Sequence, residues 1–75
     1  MELEREYRIV KGTEIRESGL EEYRSIKSLV TRARSWYLLS FSLEQQGFKL
    51  EALTRIHGQY RTKKEAVEAL KHYQN

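Results

Sequence analysis

A strict alternation of side-chain types runs from Phe48 to Tyr60 and leads directly into an amphipathic helix. Every second residue of this run is apolar or small, and its charged side chains lie in between. The first set comprises Phe48, Leu50, Ala52, Thr54, Ile56, Gly58 and Tyr60. Because successive side chains of a strand point to opposite faces, the pattern predicts a half-buried β-strand. No motif in the chain dictates a particular chemistry, so the alternation predicts a fold class and leaves function open.

The N-terminal part of the chain predicts a strand followed by a helix. Glu6–Lys11 has the composition of a short strand, which Gly12 ends. Ser18 and Glu21 are spaced as a capping box, and apolar side chains recur at intervals of three and four over residues 20–33. This stripe predicts one helix of about fifteen residues.

The residues before Phe48 predict the hairpin partner of the C-terminal strand. Trp36–Leu43 is aromatic, apolar and alternating, as expected of a strand. Residues 44–47 then form a connection of hairpin length, which places Leu43 opposite Phe48. In that register the side of the hairpin that carries Leu39 is continuously apolar, and it is the expected core face.

The C-terminal residues complete the fold prediction. Thr62 and Glu65 form a second capping box ahead of an apolar stripe, which predicts a final helix. The element order is therefore strand-helix-strand-strand-helix. A small three-stranded sheet with two helices makes a single α+β domain over residues 1–75.

One other assignment of the C-terminal part deserves comparison, a mostly α chain that ends in a helix-turn-helix. It would make residues 50–57 the first helix, with Gly58 in the turn, and would put a basic helix in the major groove of DNA. Its side chains fit badly, because Lys64 falls where a buried apolar residue is needed and Thr54 where close packing needs a small one. The alternation therefore favours the α+β fold.

Length and composition limit what the chain can be. A protein of 75 residues has room for one modest core. Cysteine is absent, which excludes a disulfide framework and a thiolate zinc cluster and fits a reducing compartment. Residues 1–10 lack the apolar run of a signal peptide or a membrane span. The expected location is the cytoplasm, with no membrane partner.

The charges are unevenly distributed along the chain. The net charge is +3, yet seven of the 11 acidic residues lie in residues 1–22. Residues 23–75 hold ten of the 14 Lys and Arg residues. Such a basic portion can attract phosphate groups, but the solvated surface of an ordinary small protein can have the same composition.

The second face of the expected hairpin collects the side chains with functional potential. It brings Trp36 opposite Arg55 and Leu38 opposite Leu53, and polar and basic side chains continue along the strand. If the first helix covers the Trp36 end, this face is an ordinary polar fringe. If the face is bare, it is a binding surface.

Two functions fit a bare surface. The first is a nucleic-acid-binding or regulatory protein that uses the basic sheet face and the start of the C-terminal helix. Its expected contacts are Arg55, His57, Gln59, Arg61, Lys63 and Lys64. The alternative is a protein–protein interaction module, as a homodimer or with another protein, joined through Trp36, Leu38 and Leu53 or through an open sheet edge. The charge distribution favours nucleic acid, and the sequence does not distinguish DNA from RNA.

The run Tyr60-Arg61-Thr62-Lys63-Lys64-Glu65-Ala66 is similar to parts of two known families. One comprises the three-stranded DNA-binding domains at the start of phage-type integrases, in their last strand and helix. The other comprises double-stranded-RNA-binding domains, in which a basic helix start follows a sheet. The resemblance covers about fifteen residues and implies a nucleic-acid partner.

Catalytic chemistry has little support in the sequence. His57 and His72 are the only histidines, and they lack the local spacing of metal ligands. No serine lies in a strained-turn motif typical of a nucleophile, and no glycine-rich loop is present to bind phosphate. We therefore expect a non-enzymatic protein with no cofactor, no metal and no small-molecule substrate.

Overall fold

Three antiparallel strands form one sheet in the order β1-β2-β3. The structure is a computed structural model that describes residues 2–74. A short helix follows β1, and a second helix follows β3, which confirms the predicted α+β class and element order. The elements are β1 (Glu2–Lys11), α1 (Gly12–Glu17), β2 (Trp36–Gln46), β3 (Lys49–Tyr60) and α2 (Lys63–Leu70).

The segment between β1 and β2 differs from the prediction of one long helix after Ser18. It contains α1 immediately after β1 and then two 3₁₀ turns, Glu21–Tyr23 and Lys27–Leu29. The Ser18 hydroxyl accepts the N–H of Leu20, so it closes a local turn and does not cap a helix. Residues 25–31 include two serines and three β-branched residues, which are weak helix formers.

The apolar stripe of this segment packs onto the sheet even though the predicted helix is absent. Tyr23, Ile26 and Val30 are buried in the core. The spacing of three from Tyr23 to Ile26 also suits a 3₁₀ turn. The Thr54 hydroxyl ties the first turn to β3 by donating to the carbonyl of Glu22 at 2.7 Å. The stripe therefore predicted burial correctly and the type of helix wrongly.

The hairpin is also tighter than predicted. Its loop is the pair Gly47-Phe48, with φ = 63° at Gly47, as in a two-residue type II′ turn. Leu43 consequently faces Ala52 and not Phe48, a register change of four residues along β3. Because a shift of four residues is even, each side chain stays on its predicted face of the sheet. This holds from the loop to a β-bulge between Leu38 and Leu39. Residues 50–57 lie within β3, so the helix-turn-helix assignment is wrong.

Both faces of the sheet are covered, by different parts of the chain. Residues 12–35 cover one face, which we call the α1 face; it carries Val10, Tyr37 and Leu39 of the main core. The helix α2 packs on the opposite face, which we call the α2 face, and Leu38 is fully buried there. Burial of a side chain such as Leu38 or Leu39 contributes about 1.5–3 kcal/mol to stability. The predicted first helix is thus not the element that covers Leu38.

Candidate nucleic-acid interface

Positive side chains converge at the end of the sheet where β1 and β3 finish and β2 begins. Lys11, Trp36 and Tyr60 are neighbours across the three strands there. Two backbone hydrogen bonds of 2.8 Å, from Gly12 to Ser35 and from Thr13 to Ala33, hold residues 32–35 against the same place. The chain after β3 adds the start of α2. We call this region the basic end; its cations are Lys11, Arg32, Arg34, Arg61, Lys63 and Lys64.

The cations of the basic end have no carboxylate partners in the part of the chain that the structure describes. All six are exposed. The ion pairs within residues 2–74 use other cations: Arg5 with Glu2, Arg8 with Glu6 and Glu22, Arg24 with Glu21, Arg55 with Glu44, and Lys71 with Glu68. Glu65 in the first turn of α2 and Glu14 in the first turn of α1 are nearby acids, but the six cations outnumber them, and the excess positive charge can attract anions.

The opposite end of the sheet is acidic. A cleft of about 880 Å³ lies there, and its rim carries Glu4, Glu6, Glu21 and Glu22. Arg8 projects into this cleft, 4.3 Å from the centroid of the Phe41 ring, and donates to Glu6, Glu22 and the Tyr23 hydroxyl. The hydrogen bond to Tyr23 raises the pKa of Arg8 above its ordinary value. Because four glutamates and two arginines line this cleft, it is net negative and a poor site for phosphate.

Trp36 lies among the cations of the basic end. The Nζ atoms of Lys11 and Lys63 are 5.8 Å and 5.7 Å from the centroid of its ring. These distances are within the range of cation–π attraction. Lys11 comes from the end of β1 and Lys63 from the first turn of α2, so the indole joins two separate elements of the fold.

The structure brings three of the sequence-predicted contact residues together, namely Arg61, Lys63 and Lys64. The N-terminus of α2 orders them, because the Thr62 hydroxyl accepts the N–H of Glu65 at 3.2 Å. This bond is the expected cap. The orphan N–H groups of the first helical turn add a partial positive charge at the same place.

Of the other three predicted contact residues, Arg55 and His57 lie farther along β3, and Gln59 lies beside Tyr60 with its side chain on the opposite face of the sheet. Arg55 is 3.2 Å from the Glu44 carboxylate. Gln59 is exposed on β3 and pairs with Tyr37 of β2. Gln59 shares the face of Tyr37, which residues 12–35 cover, whereas α2 packs on the opposite face. These residues therefore do not form one open basic sheet face with the start of α2.

His57 is half-buried beside the turn that follows α2. Its ring centroid is 5.0 Å from that of Tyr73 and 5.7 Å from that of Tyr7. Burial lowers the pKa of His57, and the nearby positive charges of Arg5 and Arg55 lower it further. His57 is therefore positioned to stabilise the packing of α2 on the sheet.

The His57 ring also contacts a buried serine. His57 Nε2 and Ser40 Oγ lie 2.7 Å apart, a distance that suits a nucleophile and its general base. Ser40 is fully buried, however, so no substrate can reach its hydroxyl in this conformation. Within residues 2–74, no group of three His, Asp or Glu side chains is placed to hold a metal ion.

The predicted apolar patch of Trp36, Leu38 and Leu53 does not form one surface. Leu38 is 0% exposed, and Trp36 and Leu53 are half-buried. Leu53 pairs with Ser42, so about 20 Å of β2 separates it from Trp36. The large apolar side chains that are most exposed lie instead in and beside the hairpin loop, where Phe48 is 108% and Leu50 63% exposed.

Sequence reasoning missed Lys11, Arg32 and Arg34 as members of the site. All three precede the Phe48–Tyr60 strand, from which the expected contact residues were taken. One signal could have found Lys11 and Arg34: when β1 and β2 are antiparallel neighbours, the last residue of β1 and the first residue of β2 lie at the same end of the sheet.

Comparisons with known proteins give no further assignment. No protein-family model, no curated protein and no solved structure matches this chain. Neither helix within residues 2–74 has the length and apolar character needed to cross a bilayer. The functional argument therefore depends on the geometry of the basic end.

Proposed function

We propose that this protein is a small non-enzymatic protein that binds nucleic acid by its phosphate backbone. One observation supports the proposal: six exposed cations from three segments of the chain converge at the basic end without carboxylate partners. The cleft toward the far end of the sheet is lined by four glutamates and two arginines, so it is net negative. This separation orients the molecule, because phosphates are attracted to one end and repelled from the other.

The mechanism is release of counterions from the nucleic acid. Each phosphate that a Lys or Arg neutralises frees a condensed cation, so affinity falls as the salt concentration rises. Backbone contacts of this kind position the protein without reading sequence. The basic end therefore supplies affinity and orientation.

The proposal is tested by reversing charges at the basic end and elsewhere. One variant carries Arg61→Glu, Lys63→Glu and Lys64→Glu. A matched control carries Arg24→Glu, Lys49→Glu and Lys71→Glu, which change the net charge equally at exposed positions outside the basic end. Binding to labelled duplex DNA, single-stranded DNA and RNA is measured by fluorescence anisotropy at low and moderate salt.

We expect the basic-end variant to lose binding at both salt concentrations and the control to retain most of it. Equal losses in the two variants would mean that only net charge matters, and the proposed site would be wrong. If the unmodified protein binds none of the three nucleic acids at low salt, the proposed function is wrong.

A further inference from the structure

Trp36 occupies the centre of the basic end and is the only tryptophan of the chain. It is the first residue of β2, and its strand neighbours are Lys11 on β1 and Tyr60 on β3. It is half-buried, so it is not sealed within the fold. A large aromatic surface in this position is not needed for the main core, which lies on the α1 face.

The two ammonium groups beside Trp36 make the position suitable for an anion with an aromatic ring. Lys11 Nζ and Lys63 Nζ lie within 5.8 Å of the ring centroid, and neither has a carboxylate partner in the described chain. Both lysines have flexible stems. A planar base can therefore stack on the indole while the ammonium groups move to the phosphates on either side.

An unpaired nucleotide within a nucleic-acid strand offers both groups in this arrangement, a base between two phosphates. The faces of bases within a duplex are covered by their neighbours in the stack, whereas a single strand can turn one base onto an aromatic side chain. We infer that the basic end prefers single-stranded nucleic acid, with one base stacked on Trp36 and the adjacent phosphates held by Lys11 and Lys63. This inference rests on the proposed function, since the phosphate contacts are those of the same site.

The experiment uses the full chain and three probes of equal length: a 12-nucleotide thymidine strand, its duplex with the complementary adenosine strand, and an abasic strand of the same backbone. Anisotropy of labelled probes gives the dissociation constants. Fluorescence of Trp36, excited in the unmodified protein with unlabelled probes, reports stacking directly because no other tryptophan contributes.

We expect the thymidine strand to quench Trp36 fluorescence with the dissociation constant found by anisotropy, and the abasic strand and the duplex to leave it nearly unchanged. Trp36→Leu should weaken binding of the thymidine strand by roughly 5- to 100-fold and leave the abasic strand nearly unaffected. Trp36→Tyr, which keeps an aromatic ring, should retain most of the affinity and serves as the variant that tests stacking if Trp36→Leu fails to fold.

The outcomes separate this inference from the proposed function. Equal affinity for the thymidine and abasic strands, without quenching, would overturn the stacking inference and leave backbone binding intact. Tighter binding of the duplex than of the thymidine strand would also overturn it. Absence of binding to all three probes at low salt would overturn the proposed function, and the inference with it.

Discussion

A substitution at Gly12 tests the backbone packing that holds residues 32–35 against the end of β1. A Cβ added at Gly12 would lie 2.4 Å from the carbonyl oxygen of Arg32 and 3.0 Å from the Cα of Ala33. Since carbon and oxygen atoms rarely approach closer than about 3.3 Å, the two backbone segments must separate by roughly 1 Å. That movement stretches the 2.8 Å hydrogen bonds from Gly12 to Ser35 and from Thr13 to Ala33.

We expect Gly12→Ala to lower the free energy of unfolding by about 2–4 kcal/mol. Overpacking costs about 1–3 kcal/mol, and each weakened hydrogen bond costs up to about 1 kcal/mol. The measurement is urea unfolding followed by far-UV circular dichroism. Gly19→Ala is the matched control, because nothing lies within 4 Å of its added Cβ. If the two variants unfold at the same urea concentration, residues 12–13 are not packed against residues 32–35 as described.

Three further changes test other parts of the fold. Because burial lowers the pKa of His57 in the folded protein, the unfolded chain binds a proton at His57 more tightly than the folded chain does. The free energy of unfolding should therefore fall as the pH drops below the ordinary His value of 6.5, and it should stay level above that pH. His57→Phe should reduce this dependence in urea titrations at pH 7.5 and 5.5. Thr62→Ala should cost about 1 kcal/mol and Thr62→Ser much less, because the serine keeps the cap of α2; equal losses in thermal unfolding would contradict the cap. Thr54→Val should cost about 0.5–1.5 kcal/mol by removing the bond to Glu22, and unchanged stability would show that this bond contributes nothing.

The sequence predicted those elements whose signals are local. The alternation in β3 and the Thr62 cap of α2 each depend on neighbouring residues, and both are present in the structure. The segment after Ser18 was mispredicted because a spacing of three or four residues fits both an α-helix and a succession of 3₁₀ turns. The type of helix there depends on how the segment fits the sheet, which the local pattern does not contain.

The candidate site was only partly predictable. Arg61, Lys63 and Lys64 are contiguous with a recognisable helix start, so sequence reasoning grouped them. Which sheet face α2 covers was not predictable, because the central strand has fully buried side chains on both faces, Leu38 on one and Leu39 on the other. His57 packs between Tyr7 and Tyr73 and is half-buried, although the sequence suggested an open surface.

The decisive measurement is the salt dependence of nucleic-acid affinity for two neutralised variants. One carries Arg61→Gln, Lys63→Gln and Lys64→Gln; the other carries Lys11→Gln, Arg32→Gln and Arg34→Gln, at positions distant in sequence. If the six cations share one site, each variant should reduce the slope of log affinity against log salt by roughly 2–3. An unchanged slope in the second variant would contradict a binding site built from three segments of the chain.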